Sequence, residues 1–178
     1  MGTVSIVYYV AASVDGYIAD ADGGVNWLSP FESEGNDGGY EEFYASVDGL
    51  MMGNQTYEQI LGYGDWPYTG KSCWVFSRRQ LSVTRPDVKL TAASPESIMS
   101  ELLAANLRRV WLVGGGQLAS AFRAEGLISE YMITVISIVL GAGIPLFGEE
   151  EPAEHLRLIQ TKPFSNGIVQ LTYDSTGR

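Results

Sequence analysis

Cysteine, histidine and positive charge are the scarce features of this sequence. It contains one cysteine (Cys73) and one histidine (His155) among 178 residues. No intrachain disulfide can form, and these two side chains cannot supply a four-ligand structural zinc site. Lys and Arg number 11 against 21 Asp and Glu, which gives a formal net charge of −10. Binding to a nucleic-acid backbone needs clustered cations, so we expect no nucleic-acid partner.

Long apolar runs and targeting signals are also lacking. No apolar run approaches the roughly 20 residues that span a bilayer, and residues 1–10 lack the basic start and cleavage site of a signal peptide. Together with the single cysteine, this predicts a reducing, cytoplasmic environment and no membrane partner. A length of 178 residues with 46% hydrophobic and 18% charged residues predicts one globular domain over residues 1–178.

Apolar, β-rich segments alternate with segments of helical spacing along most of the chain. Strands are predicted at Val4–Ala12, Leu50–Met52, Cys73–Phe76, Val88–Leu90, Val110–Val113 and Tyr131–Leu140. Near the C-terminus, residues 155–160 and 168–173 alternate in polarity around Ser165–Gly167, which predicts an antiparallel hairpin. This order indicates an α/β fold, with a mostly parallel central sheet and an antiparallel C-terminal hairpin.

The stretch Arg109–Phe122, RVWLVGGGQLASAF, has the pattern of a buried strand, a tight turn and a helix. Glycine permits positive φ and lets a ligand approach the backbone closely. A helix that begins at about Gly116 would direct free N–H groups and its positive dipole end at a ligand over the turn, as a phosphate site requires. The alternative is that the glycines only connect the strand to its helix. The stretch matches neither the Walker A nor the GxGxxG pattern.

Charged residues follow two other predicted strands. Asp15 lies just past the carboxyl end of the first strand, where open α/β sheets bind ligands. It is a candidate functional carboxylate, and also a candidate turn residue that shapes the loop. Arg78 and Arg79 follow the strand that ends at Phe76 and are candidates to grip a phosphate. The alternative for this pair is a solvated surface position.

Five short motifs occur in an order that resembles a known superfamily. They are Ser13–Ala19 (SVDGYIA), Met52–Glu58 (MGNQTYE), Val75–Ser77 (VFS), Leu112–Gly116 (LVGGG) and Leu140–Phe147 (LGAGIPLF). Together they resemble the dihydrofolate reductase-like superfamily, and more closely the C-terminal reductase domain of the bacterial bifunctional riboflavin-biosynthesis deaminase/reductase. The resemblance covers nearly the whole chain. It implies a three-layer α/β fold, NADPH as cofactor, a small-molecule substrate and a homodimer.

The same resemblance implies a role for each glycine turn. Ala12 and Ile18 would flank the nicotinamide. The pyrophosphate would be held by Gly114, Gly115, Gly116, Gln117 and Leu118 on one side and by Gly53, Asn54, Gln55 and Thr56 on the other. The adenosine 2′-phosphate would be bracketed by this second loop and by Ser77, Arg78 and Arg79.

Two positions depart from the family pattern. Asn54 stands where the family carries an arginine that contacts the 2′-phosphate, so NADH is an alternative cofactor. We predict that NADPH is still preferred, because Arg78 can restore the charge. Tyr9 stands where the riboflavin reductases carry a lysine, which leaves the phosphorylated ribosylaminopyrimidine as one candidate substrate among several.

The expected chemistry is hydride transfer to a C=N or C=O bond of a small heterocyclic or sugar-linked compound. The expected site is a cleft between the Asp15 loop and the Gly141–Phe147 loop, in which Asp15 orients the substrate or relays a proton. Tyr9 is a candidate substrate-binding residue, and Trp27, Tyr57 and Trp66 are candidate stacking walls, with core packing as the alternative for each aromatic.

Two other functions stay open at this stage. The first is a non-catalytic nucleotide-binding or ligand-sensing protein, which the changes at Asn54 and Tyr9 keep possible. The second is dihydrofolate reductase-like activity, since the Trp27 to Glu32 spacing echoes the carboxylate that follows a tryptophan in those enzymes.

Overall fold

The computed structural model describes residues 2–31, 37–148 and 152–175. In these ranges, strands and helices follow one another as the alternating pattern predicts. The strands are β1 (Ser5–Ser13), β2 (Tyr17–Ala19), β3 (Gly49–Gly53), β4 (Ser72–Phe76), β5 (Val88–Thr91), β6 (Arg109–Gly114), β7 (Glu130–Ile136), β8 (Ile144–Pro145), β9 (Leu156–Pro163) and β10 (Val169–Ser175). The α-helices are α1 (Tyr40–Ser46), α2 (Asn54–Gly62), α3 (Pro95–Ala104) and α4 (Gly116–Ala124), and a 3₁₀ helix spans Asn26–Phe31.

Eight of these strands form one sheet in the order β5-β4-β3-β6-β1-β7-β10-β9. The first six are parallel to one another, and β10 joins β7 in the antiparallel sense. β9 and β10 form the predicted antiparallel hairpin at the C-terminal edge. β2 and β8 make a separate two-stranded ladder. The predicted α/β architecture with a mostly parallel sheet is therefore confirmed.

The helices cover both faces of the sheet and give the expected three layers. Side chains of β1 alternate between two cores, because successive residues of a strand point to opposite faces. The core under α3 and α4 includes Ile6, Tyr8, Ile98, Leu102 and Phe122. The core under α1 and α2 includes Val7, Phe43, Leu50, Tyr57 and Trp111.

Neighbouring strands β3 and β6 send their helices to opposite faces. α2 follows β3 and packs on one face, whereas α4 follows β6 and packs on the other. Such a switch point opens a crevice at the carboxyl ends of the two strands, where ligands of open α/β sheets bind. The sheet order therefore positions a candidate site between the turns that follow β3 and β6.

One predicted strand is shorter in the structure than its apolar run suggests. The prediction extended from Tyr131 to Leu140, but β7 ends at Ile136. The backbone turns there, because the N–H of Ile138 donates to the carbonyl of Ile136 at 2.7 Å. Val139 is consequently 68% exposed. The acidic residues 149–151 and Glu32 lie outside the described residues.

Candidate cofactor and substrate site

Two glycine turns meet at the switch point. Gly53 caps the start of α2 and Gly115 caps the start of α4, and neither supplies a side-chain hydrogen bond. By contrast, Ser94 Oγ accepts a hydrogen bond from the N–H of Ser97 at the start of α3. The unsatisfied N–H groups of a helix lie in its first turn and point out of its N-terminus. Two helix starts therefore present free donors and positive dipole ends to one crevice.

The backbone conformation of the turn before α4 requires glycine at position 115. Gly115 has φ +95° and ψ +100°, a conformation that L-residues rarely adopt. A Cβ at this position would lie 3.6 Å from Thr56 Oγ1 and 3.8 Å from the Gly53 nitrogen. A Cβ at Gly116 would lie 3.4 Å from the Pro145 carbonyl oxygen. These distances are ordinary van der Waals contacts, so three segments meet around the glycine run and the positive φ is what selects glycine at position 115.

The other residues assigned to the pyrophosphate lie in the first turns of these helices. Asn54, Gln55 and Thr56 begin α2, and Gln117 and Leu118 follow Gly116 in α4. Gln55 and Gln117 are exposed, whereas Leu118 packs against the core under α3 and α4. The predicted residues are thus brought together around one crevice. Their role in binding stays a prediction.

The end of β4 supplies positive charge beside this crevice. Phe76 is in register with Gly53, so Ser77, Arg78 and Arg79 emerge next to the start of α2. Arg79 pairs with Glu58 of α2, with 2.9 Å between Nη2 and Oε2. Arg78 is exposed and makes no hydrogen bond or ion pair with any described residue. Its guanidinium is therefore available to an anionic ligand.

Asp15 joins two loops. Its Oδ1 accepts hydrogen bonds from Ser13 Oγ at 2.7 Å and from the N–H of Leu140 at 3.0 Å, and its Oδ2 accepts from the N–H of Gly141 at 2.7 Å. These bonds, led by the one from Ser13, lower the pKa of Asp15 to about 2. The carboxylate is ionised at neutral pH and weakly basic, which argues against a proton relay and favours a positioning role.

The predicted cleft between the Asp15 loop and the Gly141–Phe147 loop is wrong. β2 and β8 pair the two loops directly, with Tyr17 opposite Pro145 and Ala19 opposite Ile144. A Cβ at Gly143 would overlap the Ala19 carbonyl oxygen, so the backbones are in close contact. We call this paired structure the loop joint. It forms one rim of the site instead of enclosing a cleft.

Two residues of inner strands are partly exposed at the carboxyl end of the sheet, on the face that α1 and α2 cover. Ala11 and Val113 are partly exposed, although they belong to the inner strands β1 and β6. Ala11 packs in neither core. The neighbours on the same face, Tyr9 and Trp111, are buried. The helices therefore leave the carboxyl ends of β1 and β6 partly uncovered, and we call the surface around Ala11 and Val113 the Ala11 chamber.

Tyr9 lies at the floor of the chamber. Its ring stacks on Phe43 with 4.0 Å between centroids, and its hydroxyl is hydrogen-bonded to Thr134, which is in register with Ala11. Burial raises the pKa of Tyr9, so the hydroxyl stays protonated at neutral pH. Gln170 Nε2 donates to Thr134 Oγ1 at 3.3 Å and to the Gly38 carbonyl at 3.1 Å.

Sequence reasoning missed Thr134, Gln170 and Trp111. Thr134 and Gln170 are polar residues within largely apolar strand segments. A polar residue in such a segment is the sequence signal that could have identified them. The indole N–H of Trp111 donates to the Tyr9 carbonyl at 2.9 Å, which fixes the aromatic floor beneath α1.

The other predicted aromatic walls differ in exposure. Tyr57 is 2% exposed and Trp66 is 7% exposed, and their rings pack together with centroids 5.6 Å apart. This burial supports core packing, the alternative noted for both, over a ligand wall. Trp27 lies in the 3₁₀ helix, is partly exposed, and has a buried Nε1 without a hydrogen-bond partner. Of the three, Trp27 has the most surface left for a ligand.

The nicotinamide candidates lie beside the loop joint. Ala12 is buried at the end of β1, and Ile18 is partly exposed in β2. Within the three described ranges, no group of three His, Cys, Asp or Glu side chains is arranged to hold a metal ion. Nor does any helix in them have the length and apolarity to cross a membrane.

We predict that Asp15→Asn weakens the loop joint in a pH-dependent way. The folded-state pKa lies below the usual 3.8, so the carboxylate stabilises the fold above about pH 4 and loses this effect as pH falls towards 2. The variant should unfold at a lower temperature than the parent protein at pH 7, with the gap closing between pH 4 and 2. Asp65→Asn, at an exposed position, is the control. A gap that does not change with pH would contradict this role.

Comparison with known proteins places these features in a family. The family model described as the RibD C-terminal domain matches residues 68–170. The uncharacterized protein YwjB of Bacillus subtilis (strain 168) is 40% identical over 168 residues, covering 94% of this chain and 95% of its own. The uncharacterized protein YyaP of the same organism is 27% identical and covers 97% of this chain and 95% of its own.

Solved structures agree with this assignment. A Shewanella sp. PV-4 protein, provisionally named a riboflavin biosynthesis protein, superposes with a TM-score of 0.88 at 32% identity, covering 97% of this chain and 99% of its own. The Thermotoga maritima diaminohydroxyphosphoribosylaminopyrimidine deaminase/5-amino-6-(5-phosphoribosylamino)uracil reductase superposes with a TM-score of 0.73 at 16% identity, covering 97% of this chain and 57% of its own, which shows the fold alone. With the family model and the 40% identical relative, the conclusion is that this chain belongs to the RibD C-terminal domain family.

Proposed function

We propose that this protein is an NADPH-dependent reductase of a small heterocyclic or sugar-linked compound, of the kind that occurs in riboflavin biosynthesis. The observation that carries the proposal is the pair of uncapped helix starts at the switch point, where Gly53 and Gly115 face each other. A dinucleotide has a diphosphate at its centre, and two adjacent helix N-termini suit its two negative phosphates. Family membership supports the same cofactor.

The order of the strands suggests how such a cofactor would lie. The diphosphate would occupy the crevice between β3 and β6, where Asn54 and Gly116 begin their helices. The adenosine end would extend towards β4, where Arg78 offers a free guanidinium. The nicotinamide end would extend towards β1, near Ala12 and Ile18. This direction puts the reacting ring next to the Ala11 chamber.

Bound NADPH would supply the hydride that reduces a C=N or C=O bond. The chain contributes position and shape around that ring. Asp15 holds the loop joint in place through Leu140 and Gly141, so the rim beside β1 is fixed before a substrate enters. Tyr9 and Thr134 are buried and hydrogen-bonded to each other beneath Ala11, so they would fix the shape of the chamber floor.

We predict that Arg78→Ala lowers the affinity for NADPH by about 10- to 100-fold, because a charge-assisted hydrogen bond to phosphate contributes about 1.5–3 kcal/mol. Affinity for NADH should change little, since NADH lacks the 2′-phosphate. Fluorescence titration with both cofactors measures the difference. Arg79→Ala is the matched control, because Arg79 is already paired with Glu58. Equal or tighter binding of NADH by the parent protein would contradict the proposed preference.

We predict that Gly115→Ala weakens the binding of NADPH at the crevice between β3 and β6. Gly70→Ala is its control, since Gly70 also has positive φ (+81°) but a Cβ added there would have no atom within 4 Å. Both substitutions should cost about 1–3 kcal/mol of stability from backbone strain. Only Gly115→Ala should weaken NADPH binding by tenfold or more.

Equal NADPH affinity of the folded Gly115→Ala and Gly70→Ala variants would refute the crevice as the diphosphate site. Turnover separates the reductase from a binding protein. NADPH that binds the parent protein but is consumed with no compound of a broad heterocycle panel would favour the non-catalytic alternative.

A further inference from the structure

The positive charges of this chain are confined to its second part. Residues 1–70 contain no Lys or Arg, yet they hold 11 of the 21 acidic residues. This segment builds β1, the 3₁₀ helix, α1, β3 and α2. The layer that surrounds the Ala11 chamber on the α1 and α2 face is therefore without a cation of its own.

Cations from elsewhere in the chain do reach this face, but each has a partner among the described residues. Lys162 Nζ lies 3.4 Å from Glu42 Oε2, and Arg85 is bonded to Asp87 through two nitrogens. Lys71 donates to the Val47 carbonyl. Lys162 is in register with Gln170 and therefore lies at the rim of the chamber, where Glu42 holds its Nζ.

The helix start that faces this region is already occupied by a carboxylate. Asp37 Oδ2 accepts a hydrogen bond from the N–H of Glu41 at 2.6 Å, and its Oδ1 accepts from the N–H of Gly39 at 2.9 Å. Asp37 thus uses the donors that could otherwise bind a phosphate before α1. The side chains of Gln170 and Thr134 supply hydrogen bonds but no charge.

A phosphate group carries a charge of about −1.5 to −2 at neutral pH and needs cations or free N–H groups to bind. Arg78 and Arg79 follow closely after the carboxyl end of β4, whereas no Lys or Arg lies within the first five residues after β1, β3, β6 or β7. Those two face the cofactor side. The substrate side offers aromatic rings, hydroxyls and an excess of carboxylates.

We propose that the Ala11 chamber accepts an uncharged, planar heterocycle, and that the substrate of this reductase carries no phosphate group. This inference rests on the proposed function, because it assigns the chamber to the substrate. It separates this chain from the uracil reductase activity named for the Thermotoga maritima protein, whose compound is phosphorylated. The chain would therefore select its two ligands by opposite charge rules, phosphate for the cofactor and no phosphate for the substrate.

The test is a comparison of two compounds by calorimetry on the protein saturated with NADP⁺. The compounds are 5-amino-6-(5-phosphoribosylamino)uracil and the same molecule without its phosphate. We expect the unphosphorylated compound to bind at least tenfold more tightly. Tighter or equal binding of the phosphorylated compound, or binding of neither by NADP⁺-saturated protein, would overturn the inference and leave the cofactor site intact. Failure to bind NADP⁺ and NADPH at all would instead remove the proposed function, and this inference with it.

A variant with one charge removed tests whether charge is the basis of this selectivity. Glu42→Gln frees Lys162 on the exposed rim, and should strengthen binding of the phosphorylated compound several-fold with little effect on the other. Glu41→Gln is the matched control, because it removes the same charge from the neighbouring position without freeing Lys162. Equal effects of both variants on both compounds would contradict a selection by charge.

Discussion

The candidate site depends on one constraint of topology, the departure of α2 and α4 from neighbouring strands towards opposite faces of the sheet. It brings two helix N-termini together at a single crevice between β3 and β6. Glycine at positions 53 and 115 leaves both helix starts without side-chain caps, so their N–H groups remain free for a ligand. The strand order then places Arg78 on one side of the crevice and the loop joint on the other. A dinucleotide cofactor would follow this order along the edge of the sheet.

The two halves of this edge differ in charge, and the difference gives the site its proposed selectivity. Arg78 provides an unpaired cation beside β4, where the cofactor phosphate is expected. The chamber beside β1 is built largely from a segment with no Lys or Arg, and Asp37 fills the helix start that faces it. Asp15 acts in neither half as a proton donor or acceptor for the reaction. Its carboxylate accepts hydrogen bonds from Leu140 and Gly141, and these bonds fix the rim of the site beside β1.

Local patterns predicted the elements of the fold, and long-range contacts account for what they missed. The strand, glycine turn and helix around Gly115 could be predicted because all three signals lie within the stretch Arg109–Phe122. The sequence could not show that β6 inserts between β3 and β1, although this insertion brings Gly115 to Gly53. Leu140 and Gly141, which donate to Asp15, are 125 and 126 residues away from it, so the sequence could not show that the two loops are joined and do not enclose a cleft. Aromatic residues such as Tyr57 and Trp66 are equally typical of a ligand-binding wall and of a hydrophobic core. Only their burial in the structure identifies them as core residues.

The most direct test of the central claim is a crystal structure of the protein with NADPH bound. We expect the diphosphate between the first turns of α2 and α4, in contact with the backbone N–H groups near Asn54 and Gly116, and the nicotinamide on the β1 side. A diphosphate that lies away from both turns, in crystals grown at a saturating concentration, would contradict the assignment of this crevice.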